Sequence, residues 1–118
     1  MKNRPLHERF GFARDGLSVV FRTERSFRTE CGFAIAAGLV LLVLRPGWQW
    51  AAMIAICTMI VMALELINSA LEYLIDHVHP DIAPAIKHSK DAAAAAVLIA
   101  SCGSVAVAAF MLISVFFG

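Results

Sequence analysis

The sequence predicts an all-α membrane protein with three transmembrane helices preceded by an amphipathic helix. Of its 118 residues, 60% are hydrophobic, and the mean hydropathy of +0.76 lies well above that of ordinary soluble domains. Three long apolar stretches are separated by short polar segments, as in a chain that crosses a bilayer three times. A chain of this length fits one domain, and we expect residues 1–118 to form it.

The first predicted element is a helix over about residues 6–22. Its apolar residues recur at helical spacing, and its charged residues lie largely elsewhere on the helix surface. The apolar positions are Phe10, Ala13, Leu17, Val20 and Phe21. Such a helix can lie in the membrane interface with its apolar side toward lipid, or it can pack against the protein's own helices. Both alternatives stay open.

The transmembrane spans are predicted at about residues 29–44, 48–70 and 91–117. The apolar part of the first span, residues 31–44, is short for a bilayer, so we expect this span to include a polar turn before it. An Arg-Pro-Gly turn at residues 45–47 ends it, because Pro and Gly stop helices. Trp48 and Trp50 follow, where an aromatic belt is expected at the membrane surface.

The distribution of basic residues predicts the orientation. Nine of the ten Lys and Arg residues lie before residue 29 or within residues 77–91, which we predict to be a loop, and only Arg45 lies in the other loop. The positive-inside rule therefore places the N-terminus and the 77–91 loop in the cytoplasm, and the C-terminus outside.

A polar stripe at the end of the second span is the main candidate for a functional site. Glu65, Asn68, Glu72 and Asp76 lie within roughly 80° of one another on a helix. An ionised group in the hydrocarbon costs on the order of 2.5–3.5 kcal/mol, so Glu65 needs a reason to be there. Magnesium, which prefers oxygen ligands, would relieve the repulsion, and a carboxylate left without metal could take a proton from an alcohol. A helix end clear of the membrane explains Glu72 equally well, and it explains Asp76 better than a functional role does.

Two further polar clusters flank the spans. Glu24 and Arg28 are four residues apart, and from spacing alone we favour an ordinary helix-surface ion pair over a metal or lipid site. Lys90 is suited to phosphate, and Asp91 is expected to cap the alanine-rich helix that follows. The three cysteines have no CxxC spacing, so we expect buried thiols rather than disulfides or a zinc site.

Four-residue spacings of small side chains, such as Ala34 and Gly38, favour close helix contacts, so we expect the chain to associate with itself. The sequence has no GxxxxGK[ST] or GxGxxG loop, so a bound nucleotide must be held by carboxylates, metal and Lys.

Three segments together resemble the bacterial integral-membrane diacylglycerol kinase family, which includes undecaprenol kinases. They are "ERSFRTE" (24–30), "ELINSALE" (65–72) and "KDAAAAAVLIA" (90–100), and the similarity runs from about residue 10 to the end. The resemblance implies a homotrimer in the bacterial inner membrane, with active sites shared between subunits. It also implies Mg²⁺ and ATP as cofactor and donor and a membrane lipid as acceptor, with no nucleic-acid partner.

The resemblance also implies roles for individual residues. Glu65 would be the general base, and Glu24 and Glu72 would bind the metal. The residues expected at ATP are Glu24, Asn68, Glu72, Asp76, Asp81, Lys90 and Asp91. The residues expected at the lipid are Ser26, Phe27, Arg28, Thr29, Glu30 and Glu65.

The predicted function is an ATP- and Mg²⁺-dependent kinase that phosphorylates diacylglycerol to phosphatidic acid. Glu30 favours this acceptor, whereas the alanine block after Asp91 favours the alternative, undecaprenol kinase. A second alternative of another class is a non-catalytic small membrane oligomer or ion path, which would explain the stripe but not Lys90 and Asp91.

Overall fold

The computed structural model describes residues 3–118, and it consists of four α-helices. They are α1 (Leu6–Thr23), α2 (Arg25–Leu44), α3 (Trp48–Val78) and α4 (Pro84–Phe117). The last three are long and apolar enough to cross a membrane, with mean hydropathies of 1.8, 2.2 and 2.4 over their most apolar windows. The predicted all-α fold with three candidate spans is confirmed. Met1 and Lys2 lie outside the described residues. Lys2 is one of the basic residues used to predict the orientation.

Helices α3 and α4 are longer than the predicted spans. Helix α3 continues to Val78 rather than stopping near residue 70, and α4 begins at Pro84 rather than near residue 91. Proline is tolerated in the first turn of a helix, because its missing N–H is unpaired there anyway. The segment 77–91, predicted to be a loop, is therefore non-helical only at residues 79–83.

The helix lengths place the polar ends of α3 and α4 outside the hydrocarbon. At 1.5 Å per residue, the 31 residues of α3 span about 46 Å and the 34 residues of α4 about 51 Å. The hydrocarbon of a bilayer is only about 30 Å thick. Since the 20 residues of α2 just match that thickness, the excess length of α3 and α4 projects past the membrane. These projecting parts carry the charged residues of the two helices other than Glu65.

Two short connections join the first three helices. Glu24 alone separates α1 from α2, and its extended backbone (φ −111°, ψ 110°) makes the turn between them. Arg45 ends α2 in the left-handed conformation, and Gly47 precedes α3 with φ 109°. Because α2, α3 and α4 alternate in direction, the start of α2, the end of α3 and the start of α4 meet at one end of the molecule.

The chain buries few of its own apolar side chains. Helix α3 packs against α4 and α2, and α1 contacts α2 and α3. The buried apolar side chains are Val20, Phe27, Ile54, Val61 and Met111. No more than 11% of each span's most apolar window is buried within the chain, so most apolar surface is left for lipid or other protein. All three cysteines are free thiols, but the prediction that they are buried is wrong, because Cys31 and Cys57 are half-buried and Cys102 is exposed.

We predict that Gly47→Ala destabilises the protein by about 1–3 kcal/mol, because φ 109° with ψ 156° is a conformation that only glycine adopts without strain. The free energy of unfolding in mixed micelles measures this cost. Gly11→Ala is the control, since a methyl group there also meets nothing within 4 Å but lies in the regular helix α1. A helical Gly→Ala change is favourable by roughly 0.5–1 kcal/mol. Equal effects of the two variants would contradict the prediction.

Candidate functional site

Glu65 is the buried carboxylate around which the site is built. It lies on α3 with 9% of its surface exposed, one helical turn from Ser69, which is 2% exposed. Measured along α3 from Trp48, Glu65 lies about 26 Å into the span, close to the far edge of a 30 Å hydrocarbon layer. The sequence predicts this carboxylate at the end of the second span, within the hydrocarbon, and the burial of Glu65 agrees with that position.

Three other carboxylates lie close enough for their charges to act on Glu65. In decreasing order of effect these are Glu30 on α2, Glu24 at the α1–α2 turn and Glu72 on α3. We refer to Glu24, Glu30, Glu65 and Glu72 as the carboxylate cluster. Within residues 3–118, none of the four forms an ion pair with a basic side chain. Four like charges are thus gathered at one end of the spans without compensation.

Asn68 adds an unpaired acceptor beside this cluster. It lies on α3 between Glu65 and Glu72, and its Oδ1 atom is buried with no hydrogen-bond partner among the described residues. A buried acceptor without a partner costs roughly 1–3 kcal/mol, so native proteins usually supply a ligand, ion or water for it. The Asn68 carboxamide can therefore offer an oxygen to a ligand at the carboxylate cluster.

The cluster fits a magnesium ion shared with phosphate better than a metal held by protein alone. In the part of the chain that the structure describes, no three His, Cys, Asp or Glu side chains are grouped so as to hold a metal ion. Mg²⁺ characteristically binds through one or two carboxylates together with substrate phosphates and water. The available donors, carboxylates and one amide oxygen, are the hard oxygen ligands that this arrangement uses.

A second group of predicted residues surrounds a cavity next to the 79–83 loop. This cavity, which we call the loop cavity, has a volume of about 220 Å³. Four of the residues predicted to bind ATP line it: Asp76, Asp81, Lys90 and Asp91. The Lys90 ammonium lies 2.5 Å from an oxygen of Asp76 and so links α4 to α3. The structure therefore brings together residues that are separate in the sequence.

Asp91 does not cap a helix as predicted. Helix α4 begins seven residues earlier at Pro84, with Ala83 at the capping position, so Asp91 lies inside the helix. Its carboxylate instead accepts a hydrogen bond of 2.6 Å from the Lys87 ammonium. Lys87 also lines the loop cavity and was missed by the sequence analysis, although its four-residue spacing from Asp91 was a usable signal.

Arg28 binds the end of α1 rather than Glu24. Its Nη1 atom donates hydrogen bonds to the carbonyl oxygens of Phe21 (2.8 Å) and Arg22 (3.0 Å). The Glu24–Arg28 ion pair favoured from spacing is therefore wrong. The physical reason is that the turn at Glu24 leaves the last carbonyls of α1 without helical partners, and a guanidinium can satisfy two of them.

The other residues predicted at the lipid line the start of α2. Phe27 is only 2% exposed and packs inside the chain, whereas Ser26 and Thr29 are exposed. Glu30 lies at a cavity of about 280 Å³ between α2, α3 and α4, whose other lining residues are mostly apolar. The start of α2 thus joins the carboxylate cluster to an apolar space between the spans.

One contact between α1 and α3 was also not predicted from the sequence. The hydroxyl groups of Thr23 and Tyr73 are hydrogen-bonded and connect the end of α1 to α3. The two residues are 50 positions apart, and no local pattern relates them.

The fold and the site define a helical membrane protein with a polar site at one end of its spans, and comparison with known proteins identifies its family. The prokaryotic diacylglycerol kinase family profile matches residues 11–112. The chain therefore belongs to the prokaryotic diacylglycerol kinase family, as the sequence motifs predicted.

Three relatives, all named diacylglycerol kinase, agree with this assignment. The protein of Synechocystis sp. is 37% identical over 107 residues, which cover 88% of this chain and 60% of the relative. The Haemophilus influenzae protein is 34% identical over 92 residues, covering 77% of each chain. The Sinorhizobium sp. protein is 39% identical over 69 residues, covering 58% of this chain and 50% of the relative. The match thus spans between half and about three quarters of the relatives' lengths.

We predict that Arg28→Ala accelerates amide hydrogen exchange in the last turn of α1 by about tenfold, because two carbonyl oxygens there lose a charged donor. Hydrogen exchange followed by mass spectrometry of the protein in nanodiscs measures this. Arg25→Ala is the control, since Arg25 is exposed and its side chain makes no hydrogen bond within residues 3–118. Unchanged exchange in Arg28→Ala would show that the guanidinium does not hold this turn.

Proposed function

We propose that the chain is a single membrane lipid-kinase domain that transfers the γ-phosphoryl group of ATP to the hydroxyl of diacylglycerol, giving phosphatidic acid. The observation that carries this proposal is the cluster of four carboxylates at one end of the spans, which have no basic partner within residues 3–118. A bound cation would relieve the repulsion among these carboxylates, and the triphosphate of ATP would bring Mg²⁺ to them. The name diacylglycerol kinase of all three relatives supports this choice of acceptor.

In this proposal, Glu24 and Glu72 would hold Mg²⁺ together with phosphate oxygens, and the Asn68 Oδ1 atom would gain at this ligand the partner that it lacks among the described residues. When bound, Mg²⁺ would neutralise charge on the phosphates and on the carboxylate cluster. The nucleotide extends into the loop cavity along Asp76, Asp81 and Asp91. Lys90, which pairs with Asp76 and lines the same cavity, would contact the phosphates of a nucleotide bound there.

The proposed reaction is a direct transfer between the two substrates. Glu65 accepts the proton of the lipid hydroxyl as the hydroxyl oxygen bonds to the γ-phosphorus. The bond from that phosphorus to the bridging oxygen breaks, and ADP leaves with the electron pair. The burial of Glu65 at the hydrocarbon edge supports this role, because a lipid hydroxyl can reach it without leaving the membrane.

The lipid is proposed to lie along the start of α2. Ser26, Arg28, Thr29 and Glu30 would face the headgroup, and the buried ring of Phe27 would form the wall behind it. The apolar cavity that begins at Glu30 supports this placement, since it offers room for hydrocarbon between the spans.

We further propose the setting in which the domain works. The N-terminus and the 79–83 loop face the cytoplasm of a bacterium, where ATP is available, and the C-terminus lies outside the inner membrane. Helix α1 lies as an amphipathic helix in the interface. A homotrimer with shared sites would cover part of the exposed apolar surface and close the carboxylate cluster on its open side.

Undecaprenol remains the alternative acceptor, favoured by the alanine block at residues 92–96. The other alternative, an ion path, is disfavoured because Glu65 is the last carboxylate on α3 in the direction of Trp48, so the charges do not continue across the span. Radiolabelled ATP with diacylglycerol and undecaprenol side by side distinguishes all three. Phosphorylation of neither lipid would contradict the kinase.

We predict that Glu65→Gln lowers lipid phosphorylation by at least about 100-fold while the protein still inserts and assembles, because the amide cannot accept the proton. Initial rates with radiolabelled ATP in mixed micelles measure this. Glu8→Gln is a matched control, since Glu8 lies on α1 beside Arg4 and outside the cluster. Near-normal turnover by Glu65→Gln would remove the proposed base.

We predict that Glu72→Gln raises the magnesium concentration required for half-maximal rate by about tenfold, which corresponds to about 1.4 kcal/mol of lost binding. The reason is that a neutral amide is a weaker ligand for Mg²⁺ than a carboxylate. A magnesium titration at saturating ATP measures the shift. An unchanged titration curve would count against Glu72 as a metal ligand.

A further inference from the structure

The hydrogen bond between Thr23 and Tyr73 lies beside both proposed metal ligands. Thr23 immediately precedes Glu24 in the chain, and Tyr73 immediately follows Glu72. The bond therefore joins the two backbone segments that carry these carboxylates, one from the end of α1 and one from α3. Neither Thr23 nor Tyr73 is among the site residues predicted from the sequence.

The donor in this bond can be assigned from the other contact of Thr23. The Thr23 hydroxyl also lies 2.8 Å from the carbonyl oxygen of Val19, which can only accept a hydrogen bond. A hydroxyl has one proton and two lone pairs, so Thr23 donates to Val19 and accepts from Tyr73. Tyr73 is therefore the donor, and replacing it with Phe removes the bond without leaving the Thr23 proton unpaired.

The turn at Glu24 is held firmly on its own side. The Glu24 N–H donates to the carbonyl of Val20 (2.8 Å), and the Glu24 carbonyl accepts from the Arg28 N–H (3.3 Å). Arg28 also binds the last carbonyls of α1. These contacts fix Glu24 relative to α1 and α2, but they do not fix it relative to α3.

The contact with α3 depends on few residues. A cavity of about 600 Å³ separates much of α1 from α3, with Leu17 on one side and Leu66 on the other, and Tyr73 at its edge. Within residues 3–118, Thr23–Tyr73 is the one side-chain hydrogen bond between these two helices. Close to Thr23 on α1, the side chain of Val20 is buried against the rest of the protein.

We infer that Thr23 and Tyr73 are positioning residues that set the separation of Glu24 and Glu72, and thereby the affinity of the site for a divalent cation bound to nucleotide. This inference rests on the proposed function, because it takes Glu24 and Glu72 as the ligands. Neither positioning residue contacts the metal.

The test is binding of Mn²⁺, a spectroscopic substitute for Mg²⁺, to the full chain in phosphatidylcholine nanodiscs with a non-hydrolysable ATP analogue. Electron paramagnetic resonance of free Mn²⁺ gives the affinity without any turnover. Tyr73→Phe and Thr23→Val each weaken the affinity by about fivefold, the size expected for one hydrogen bond. The double variant weakens it no further, because both changes remove the same bond.

Two controls separate positioning from general damage. Thr23→Ser retains the hydroxyl and keeps wild-type affinity. Ser89→Ala removes a hydroxyl that bonds, among the described residues, only to the Ala85 carbonyl in its own helix, and it also has no effect. In the kinase assay, the rate of Tyr73→Phe returns to within about twofold of wild type at excess Mg²⁺, since weak metal binding is overcome by concentration. The lipid concentration for half-maximal rate stays unchanged.

Each result has a distinct consequence. If the wild-type chain binds no Mn²⁺ with nucleotide, the proposed function itself is overturned. If it binds but Tyr73→Phe has wild-type affinity, the positioning role alone is overturned. The same holds if the two single losses multiply in the double variant, or if Thr23→Ser loses as much affinity as Thr23→Val.

Discussion

Repulsion among the four carboxylates at one end of the spans is the constraint on which the structure of the site depends. Glu65 is held in place by the apolar packing of α3, and three other charges act on it with no basic side chain paired to any of the four within residues 3–118. Burying an uncompensated charge is costly, so the packing of the spans must support the arrangement. The alternating helix directions make this possible, because they bring three separate helix ends to one level.

The two groups of polar residues differ in how their charge is balanced. The loop cavity contains its own ion pairs, Lys90 with Asp76 and Lys87 with Asp91, and lies on the parts of α3 and α4 that project past the hydrocarbon. The carboxylate cluster lies deeper and has no such partners among the residues that the structure describes. A ligand that carries both a cation and a chain of anionic groups would match this gradient, with its cation at the cluster and its anions near the lysines.

The sequence was sufficient wherever the information lay along one helix. The Glu65–Asp76 stripe, the three spans and the family motifs follow from periodicity and order, and the structure has α3 unbroken through the stripe. Contacts between helices could not be read in this way. Spacing suggested a Glu24–Arg28 pair, but the unpaired carbonyls of α1 compete for the guanidinium, and Thr23 and Tyr73 meet across 50 residues. The start of α4 was misplaced because Pro84 can open a helix as well as end one.

The match between the length of α2 and the hydrocarbon thickness links the site to its surroundings. With 20 residues, α2 has no spare turns, and Glu24 follows α1 directly at its first end. A thinner bilayer is therefore met by tilting α2, whereas a thicker one must thin locally around it, and the single-residue turn passes a tilt of α2 on to Glu24. We therefore expect the position of Glu24 relative to the other carboxylates to depend on the lipid chain length of the surrounding membrane.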